Sequence, residues 1–269
     1  MSGLSRREVL RGGGMLLTVG VIGTACASNA AGGAPGRVGI APPPPTLPQV
    51  EDPPNDVTLL RTAQSMEYSA LELYKALTAA GVLSSDEATL FDRIVQDHTR
   101  HADEIGQLIT AAGGAAFACA NSFMMDRSVN PALAAMEGTD DAHRDVLNIA
   151  WAFESMFGAS YQSFVRQLQT LELRTAAALH SGEEQRHSTV LARVINPKQT
   201  FSPTFFGKSE EKDAAGFPVP YAIPSVFGKV SGIDLVIGAV TAEGSRFAIQ
   251  LQTPAQNTFV YEYMACPTG

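Results

Sequence analysis

Basic charge is scarce in this chain of 269 residues, with 19 lysines and arginines against 27 aspartates and glutamates and a formal net charge of −8. A surface that grips nucleic-acid phosphates needs a basic face, so no nucleic-acid partner is expected. Charge of either sign is sparse at 17%, against roughly 25% in an average soluble domain. Cysteine is scarcer still: Cys26, Cys119 and Cys266 are the whole set, and no two form a Cys-x-x-Cys pair. That excludes rubredoxin-type iron and the common zinc ribbons. Histidine is absent before His98 and after His187. Apolar residues, in contrast, make up 45%, enough for a sizeable core.

The first 25 residues read as an address. Ser5-Arg6-Arg7-Glu8-Val9-Leu10 resembles the twin-arginine export motif, and an uncharged stretch from Gly12 to Ala25 follows. That stretch is too short and too rich in glycine to read as a membrane span. Gly23-Thr24-Ala25-Cys26 resembles a loose lipobox, with Gly23 where leucine is usual, and its depth favours Cys26 as a lipidated residue. Ala25-Cys26-Ala27 also satisfies the small-x-small pattern of ordinary signal cleavage. Removing residues 1 to 25 takes away Arg6, Arg7, Arg11 and Glu8 and leaves 16 basic and 26 acidic residues. Residues 26 to 56 are rich in alanine, glycine and proline, and eight of the sixteen prolines lie between Pro35 and Pro54. Such a cluster cannot build helix interior and suits a semi-stiff tether. The expectation is an exported protein of the cell envelope, lipid-anchored or free outside the cytoplasm. With Cys26 taken by lipid, Cys119 and Cys266 remain as a pair, and an oxidising compartment allows a disulfide between them. Two free, buried thiols are the alternative.

From Asp56 the pattern turns helical. Leu60, Ala63, Glu67, Ala70, Tyr74 and Leu77 fall on one face of a helix over 57–80, ended by Gly81. Ser84 to Glu87 reads as a capping box opening a second helix to about Ala112. Its inner face holds Phe91, Ile94, His98, His101, Ile105 and Leu108; Arg93, Asp97, Arg100 and Glu104 fall outside. An irregular connection over 115–138 is expected next. A third helix starts near Thr139 to Asp141 and buries Ile149, Phe153, Glu154, Phe157, Tyr161, Phe164 and Leu168. A fourth, with Leu173, Ala177, His180, Glu184, His187, Leu191 and Val194 inward, ends near Asn196-Pro197. No clear break separates the last two. Residues 197 to 269 carry three strand-like runs, 233–237, 245–251 and 258–263, with turns at Glu243-Gly244 and 254–257. Residues 207–215 read as a polar turn.

The residues that interrupt the apolar faces repeat. Glu67 and Tyr74 are seven apart, as are Glu154 and Tyr161, at a shift of 87. His98 and His101 are three apart, as are Glu184 and His187, at a shift of 86. Seven residues are two helical turns and three are nearly one, so each pair shares a face. On these residues, 57 to 196 resemble the ferritin-like superfamily, which sets a two-metal site in a four-helix bundle with one long crossover. The twin-arginine-type start and the tail are most similar to exported bacterial members related to the desiccation-associated group. The resemblance implies a mainly α fold with a small β-rich C-terminal extension over 197–269. It implies metal ligation by Glu67, His101, Glu154, Glu184 and His187. His98 stands where the superfamily has glutamate and is expected to replace it as a ligand, in preference to Asp97, which lies about 100° away around the helix.

The implied cofactor is a pair of iron or manganese ions, reduced to one or none if the departure at His98 has weakened the site. A small oxidant and a membrane, met through the lipid anchor, are the other implied partners. The implied chemistry is a redox reaction on O2, peroxide or ferrous iron; the alternative is a non-catalytic envelope protein that binds a partner. Tyr74, Tyr161 and His180 are expected to support the carboxylates, with core filling an equal reading for the tyrosines. His143 reads as a surface residue.

Overall fold

The computed structural model describes residues 54–195, 197, 233–251 and 258–267. The expected signal, Cys26, nearly all of the tether, the polar turn at 207–215 and the turn at 254–257 lie outside the described residues.

Four long helices form the bundle: α1 (Asp56–Ala79), α2 (Ser85–Ala111), α5 (Ala142–Gln167) and α6 (Leu171–Ile195). Each start is explained locally. The Asn55 side chain accepts from the Thr58 amide at the head of α1, and Asp141 caps α5 through the Arg144 amide. Ser84 and Glu87 form the expected capping box on α2, satisfying two amides that a helix start leaves free. Gly81 leaves α1 in the left-handed region at φ 68°. Helix α1 packs on α2 and α5 on α6, making two hairpins. All the apolar residues assigned inward are buried except Leu108 and Val194, which are partly covered.

Two expectations need correction. The connection between the hairpins is not irregular throughout. It carries α3 (Ser122–Met124), a π-helical turn over Met125–Val129, and α4 (Asn130–Ala135). Its anchor is Asn121, 2% exposed, whose side chain accepts from the Met124 amide and donates to Ser65 Oγ and the Thr258 carbonyl. A cap held from two distant segments leaves no local signature.

The third strand-like run, 258–263, is not a strand. Among the described residues only β1 (Ile233–Ile237) and β2 (Phe247–Leu251) pair, antiparallel, with Leu235 opposite Ile249 and Ile237 opposite Phe247. The segment after them is held by bundle side chains instead. The Val260 amide donates to Thr62 Oγ1, Asn121 to the Thr258 carbonyl, and Arg61 to the Met264 carbonyl. These bonds replace the sheet ladder, and apolar side chains at Phe259 and Val260 still reach the core.

The hairpin packs on α5. Gly238 follows β1 at φ 85°, and a Cβ there would stand 2.6 Å from the Ala135 carbonyl oxygen, so a larger residue would clash with backbone. Its amide donates to the buried Asp145 carboxylate at 2.7 Å. Cys119 and Cys266 are joined by a disulfide spanning 147 residues, which ties the C-terminal segment to the connection between the hairpins. Among the described residues no helix is long and apolar enough to cross a membrane.

Candidate metal centre

Each long helix brings titratable side chains to the middle of the bundle. Helix α1 supplies Glu67, α2 supplies His98 and His101, α5 supplies Glu154, and α6 supplies Glu184 and His187. All six are buried, His187 at 9% being the most exposed. Their donor atoms form two overlapping clusters, Glu67–His98–His101–Glu184 and His98–Glu154–Glu184–His187, each with its atoms within 4.8 Å of one another. The heptad and i, i+3 spacings are what place them there, because 87- and 86-residue shifts set equivalent positions of the two hairpins face to face.

His98 stands between the clusters. Its Nδ1 is 2.7 Å from Glu67 Oε2 and its Nε2 is 3.0 Å from Glu154 Oε1. Burial works against its charged form, but Glu184, Glu154 and Glu67 outweigh it and hold the imidazolium well above the ordinary range. His101 and His187 are arranged alike. Each turns Nδ1 inward, His101 to Glu184 at 2.9 Å and His187 to Glu154 at 3.1 Å. Each turns Nε2 outward to a carboxylate, His101 to Glu183 at 2.6 Å and His187 to Asp97 at 3.3 Å.

Those outer carboxylates were not assigned to the site from sequence. Asp97 was placed with the outer charges, yet it is 8% exposed and reaches across to the histidine of the other hairpin. Glu183 does the reverse. The pair obeys the same shift of 86 as the histidine motifs, which is the signal that could have found them. Arg100 then bonds both Asp97 and Glu183, and Arg93 holds Asp97 at 3.0 Å. An outward Nε2–H bonded to a carboxylate leaves the inward Nδ1 lone pair free for a cation and stiffens the ring.

The supporting residues also cross between hairpins. Tyr74 donates to Glu154 at 2.6 Å, and Tyr161 donates to Glu67. Both phenols are fully buried, and burial beside carboxylates pushes their pKa well above the usual value. His180 packs its ring 4.5 Å from that of His101 and 5.4 Å from that of Tyr161, and its Nε2 meets Glu104 at 3.1 Å. Burial and the nearby His101 charge lower it to about 4, so it is neutral. His143 is exposed and pairs with Glu87, away from the centre.

The donor set fits a metal on one observation above all. Both oxygens of Glu184, and Nδ1 of His101, are buried without an aligned hydrogen bond. His101 Nδ1 at 2.9 Å and His187 Nδ1 at 3.4 Å are near Glu184, but a carboxylate in a dry core without aligned donors is costly, and burial raises its pKa. Without metal, protons supply the compensating charge. Burial opposes charge on His101 and His187, yet Glu184, Glu67 and Glu154 raise them to about 11 and about 10. Glu67 and Glu154 are held below the carboxylate range despite burial, by His101, His98 and His187.

A pH dependence follows. The two histidines are raised above their unfolded value of 6.5, so their contribution is complete below that pH and lost as pH rises through about 10 to 11. The metal-free protein is therefore expected to melt progressively lower from neutral pH upward. Metal, which binds deprotonated imidazole, should flatten that decline. Melting curves with and without chelator across this range check it; parallel curves would contradict it.

A crystal structure of a conserved hypothetical protein from Mycobacterium tuberculosis aligns over 54% of this chain and 92% of its own, at 17% identity and a TM-score of 0.43. No curated protein matches. The model of the ferritin-like domain matches residues 55–197, which include both clusters. By its four helices, its buried His/Glu groups able to hold metal, and this match, the chain belongs to the ferritin-like domain family.

Proposed function

We propose that the bundle holds two iron or manganese ions and carries out redox chemistry on O2, peroxide or ferrous iron. The carrying observation is Glu184, a buried carboxylate shared by both clusters with no aligned hydrogen bond of its own. Glu67, His101 and Glu184 would hold one ion, and Glu154, His187 and Glu184 the other, with His98 reaching both clusters. Oxygen and imidazole donors suit iron and manganese. Bound there, such a pair supplies one- and two-electron redox chemistry. The chain's own residues neutralise, orient and exclude water. Three glutamates offset three of four positive charges, Tyr74 and Tyr161 fix the carboxylates, and Asp97 and Glu183 fix the imidazoles. Phe157, buried with its ring 5.7 Å from that of His98, helps exclude water there.

The same proposal places the protein outside the cytoplasm. Arg6-Arg7 ahead of an uncharged stretch supports twin-arginine export, Cys26 supports a lipid anchor, and the proline-rich stretch supports a tether. Lipid tethering and a long tail suit an oxidoreductase at a membrane better than a storage shell.

One observation favours a second reading. His98, with a carboxylate on each ring nitrogen, is itself a cation lodged between Glu67 and Glu154. It could satisfy them without metal, leaving a non-catalytic envelope protein with a degenerate site. Elemental analysis of protein lacking residues 1 to 25, expressed with iron and manganese supplied, separates the two. About two ions per chain are expected from the paired clusters. Near-zero iron and manganese would sink the redox reading and leave the second.

A further inference from the structure

The metal centre has a charged side and an apolar side. On the charged side, Arg93, Asp97, Arg100 and Glu183 surround the outward nitrogens of His101 and His187. On the other side, toward the end of the bundle, lies a small internal cavity of about 10 Å³. All four long helices contribute to it, with Ala63, Ile105, Phe164 and Ala177 among its walls. Tyr161 and His180 close its inner end, one bonded to Glu67 and the other with its ring packed against that of His101. The Tyr161 hydroxyl bonds Glu67 and His180 Nε2 meets Glu104, and the wall offers the cavity no polar surface. Leu108 and Leu173 form its outer end and also line a depression of about 690 Å³ between the start of α1, the end of α2 and the α5–α6 turn.

We propose that this cavity is a waiting site for molecular oxygen, on a route from the bundle end to the metal centre. The inference rests on the redox reading above and narrows its substrate. The space suits one molecule about the size of water, but water needs about two to four polar partners to occupy a buried site. Hydrogen peroxide and a hydrated ferrous ion are more polar still and would lose their solvation without compensation. Oxygen is small, uncharged and apolar, and it loses almost nothing on entering. Metal and oxidant thus approach from different sides, and the oxidant arrives one ring away from Glu67 and His101.

The test uses oxygen itself on the metal-free protein. Dissolved O2 is paramagnetic and speeds the relaxation of nearby methyl protons. Raising its pressure should enhance relaxation at the Ala63 and Ala177 methyls several-fold more than at Ala102 and Ala192, which are buried to a similar degree but outside the cavity lining. Ala177→Leu should fill the space and remove the enhancement at Ala63; Leu173→Ala should enlarge it and raise the enhancement. Melting curves confirm that each variant is folded, and either one alone decides. In metal-loaded protein, Ala177→Leu should raise the KM for O2 about tenfold while kcat and metal content hold. Enhancement at Ala63 and Ala177 no greater than at Ala102 and Ala192 would overturn the proposal, as would an unchanged KM. If the protein holds no metal, the redox reading fails, and the methyl measurement still decides whether oxygen occupies the cavity.

Discussion

Replacing Glu184 with alanine should cut metal content to about a tenth or less of the wild-type value. Glu184 belongs to both clusters, so its removal strips a donor from each ion at once. Two divalent ions carry four positive charges, and three inward glutamates already leave a net of +1. Removing one raises that to +2 in a core with little water to screen it. Even residues that only support a metal ligand typically cost 10- to 100-fold in affinity when lost, so a shared ligand should cost at least as much. Glu184→Asp, which keeps the charge but shortens the reach, should fall between. Elemental analysis of folded variants, judged by helix content, gives the answer. Full metal in Glu184→Ala would mean that the ions sit elsewhere.

His98→Glu should move two properties in opposite directions. With metal, the fourth carboxylate cancels the residual charge of two divalent ions and restores the superfamily's pattern, so loss of those ions to a chelator should slow by roughly 10- to 100-fold. Without metal, the same change removes the imidazolium that lies 2.7 Å from Glu67 and 3.0 Å from Glu154. Breaking a buried pair by removing one partner costs about 3–5 kcal/mol. At roughly 2–4 °C per kcal/mol for a domain of this size, metal-free His98→Glu should melt on the order of 10 °C lower. Added iron or manganese should recover most of that loss, since a ligand that binds only the folded state stabilises it. A metal-free melting temperature equal to wild type would show that His98 does not hold the two carboxylates together. Faster metal loss would show that it is a better ligand than glutamate at that place.

The two results together separate the readings of the site. A redox centre weakened by one substitution should lose metal in Glu184→Ala and gain retention in His98→Glu. A site that His98 has closed for good should bind little metal as wild type, and binding should appear only in His98→Glu.

Much of this was legible in the sequence because it depends on short-range periodicity. A capping box such as Ser84–Glu87 and a helix face such as Leu60 to Leu77 are set by residues three to seven apart, and the structure keeps both. The repeat of 87 and 86 residues marks the six inward residues in the sequence itself. The break between α5 and α6 was not legible. Leu168 turns extended at ψ 142° with no glycine or proline. One distant bond, from the Gln169 amide to Asp56, joins two local ones: Thr170 accepts from the Leu173 amide at the start of α6, and Arg174 donates to the Leu168 carbonyl. The helices of the crossover and the missing third strand have the same cause, since Asn121, Ser65 and Thr62 supply hydrogen bonds across more than fifty residues of chain.

The sequence by itself determined four amphipathic helices, their paired histidine and glutamate motifs, and the pairing left open to Cys119 and Cys266. Periodicity determines these, because a residue's face depends only on its place in its own helix. Only the tertiary structure decided who meets whom. Each tyrosine holds the glutamate of the opposite hairpin, and Asp97 and Glu183 each reach the other hairpin's histidine. A helical wheel places a residue at an edge, but whether that edge faces solvent or a neighbour's histidine depends on how closely the helices approach. The sparse charge of the chain takes its meaning there. Of its few acidic residues, Glu67, Glu154 and Glu184 are wholly buried and Asp97 nearly so, drawn inward by histidines that a linear reading cannot set beside them.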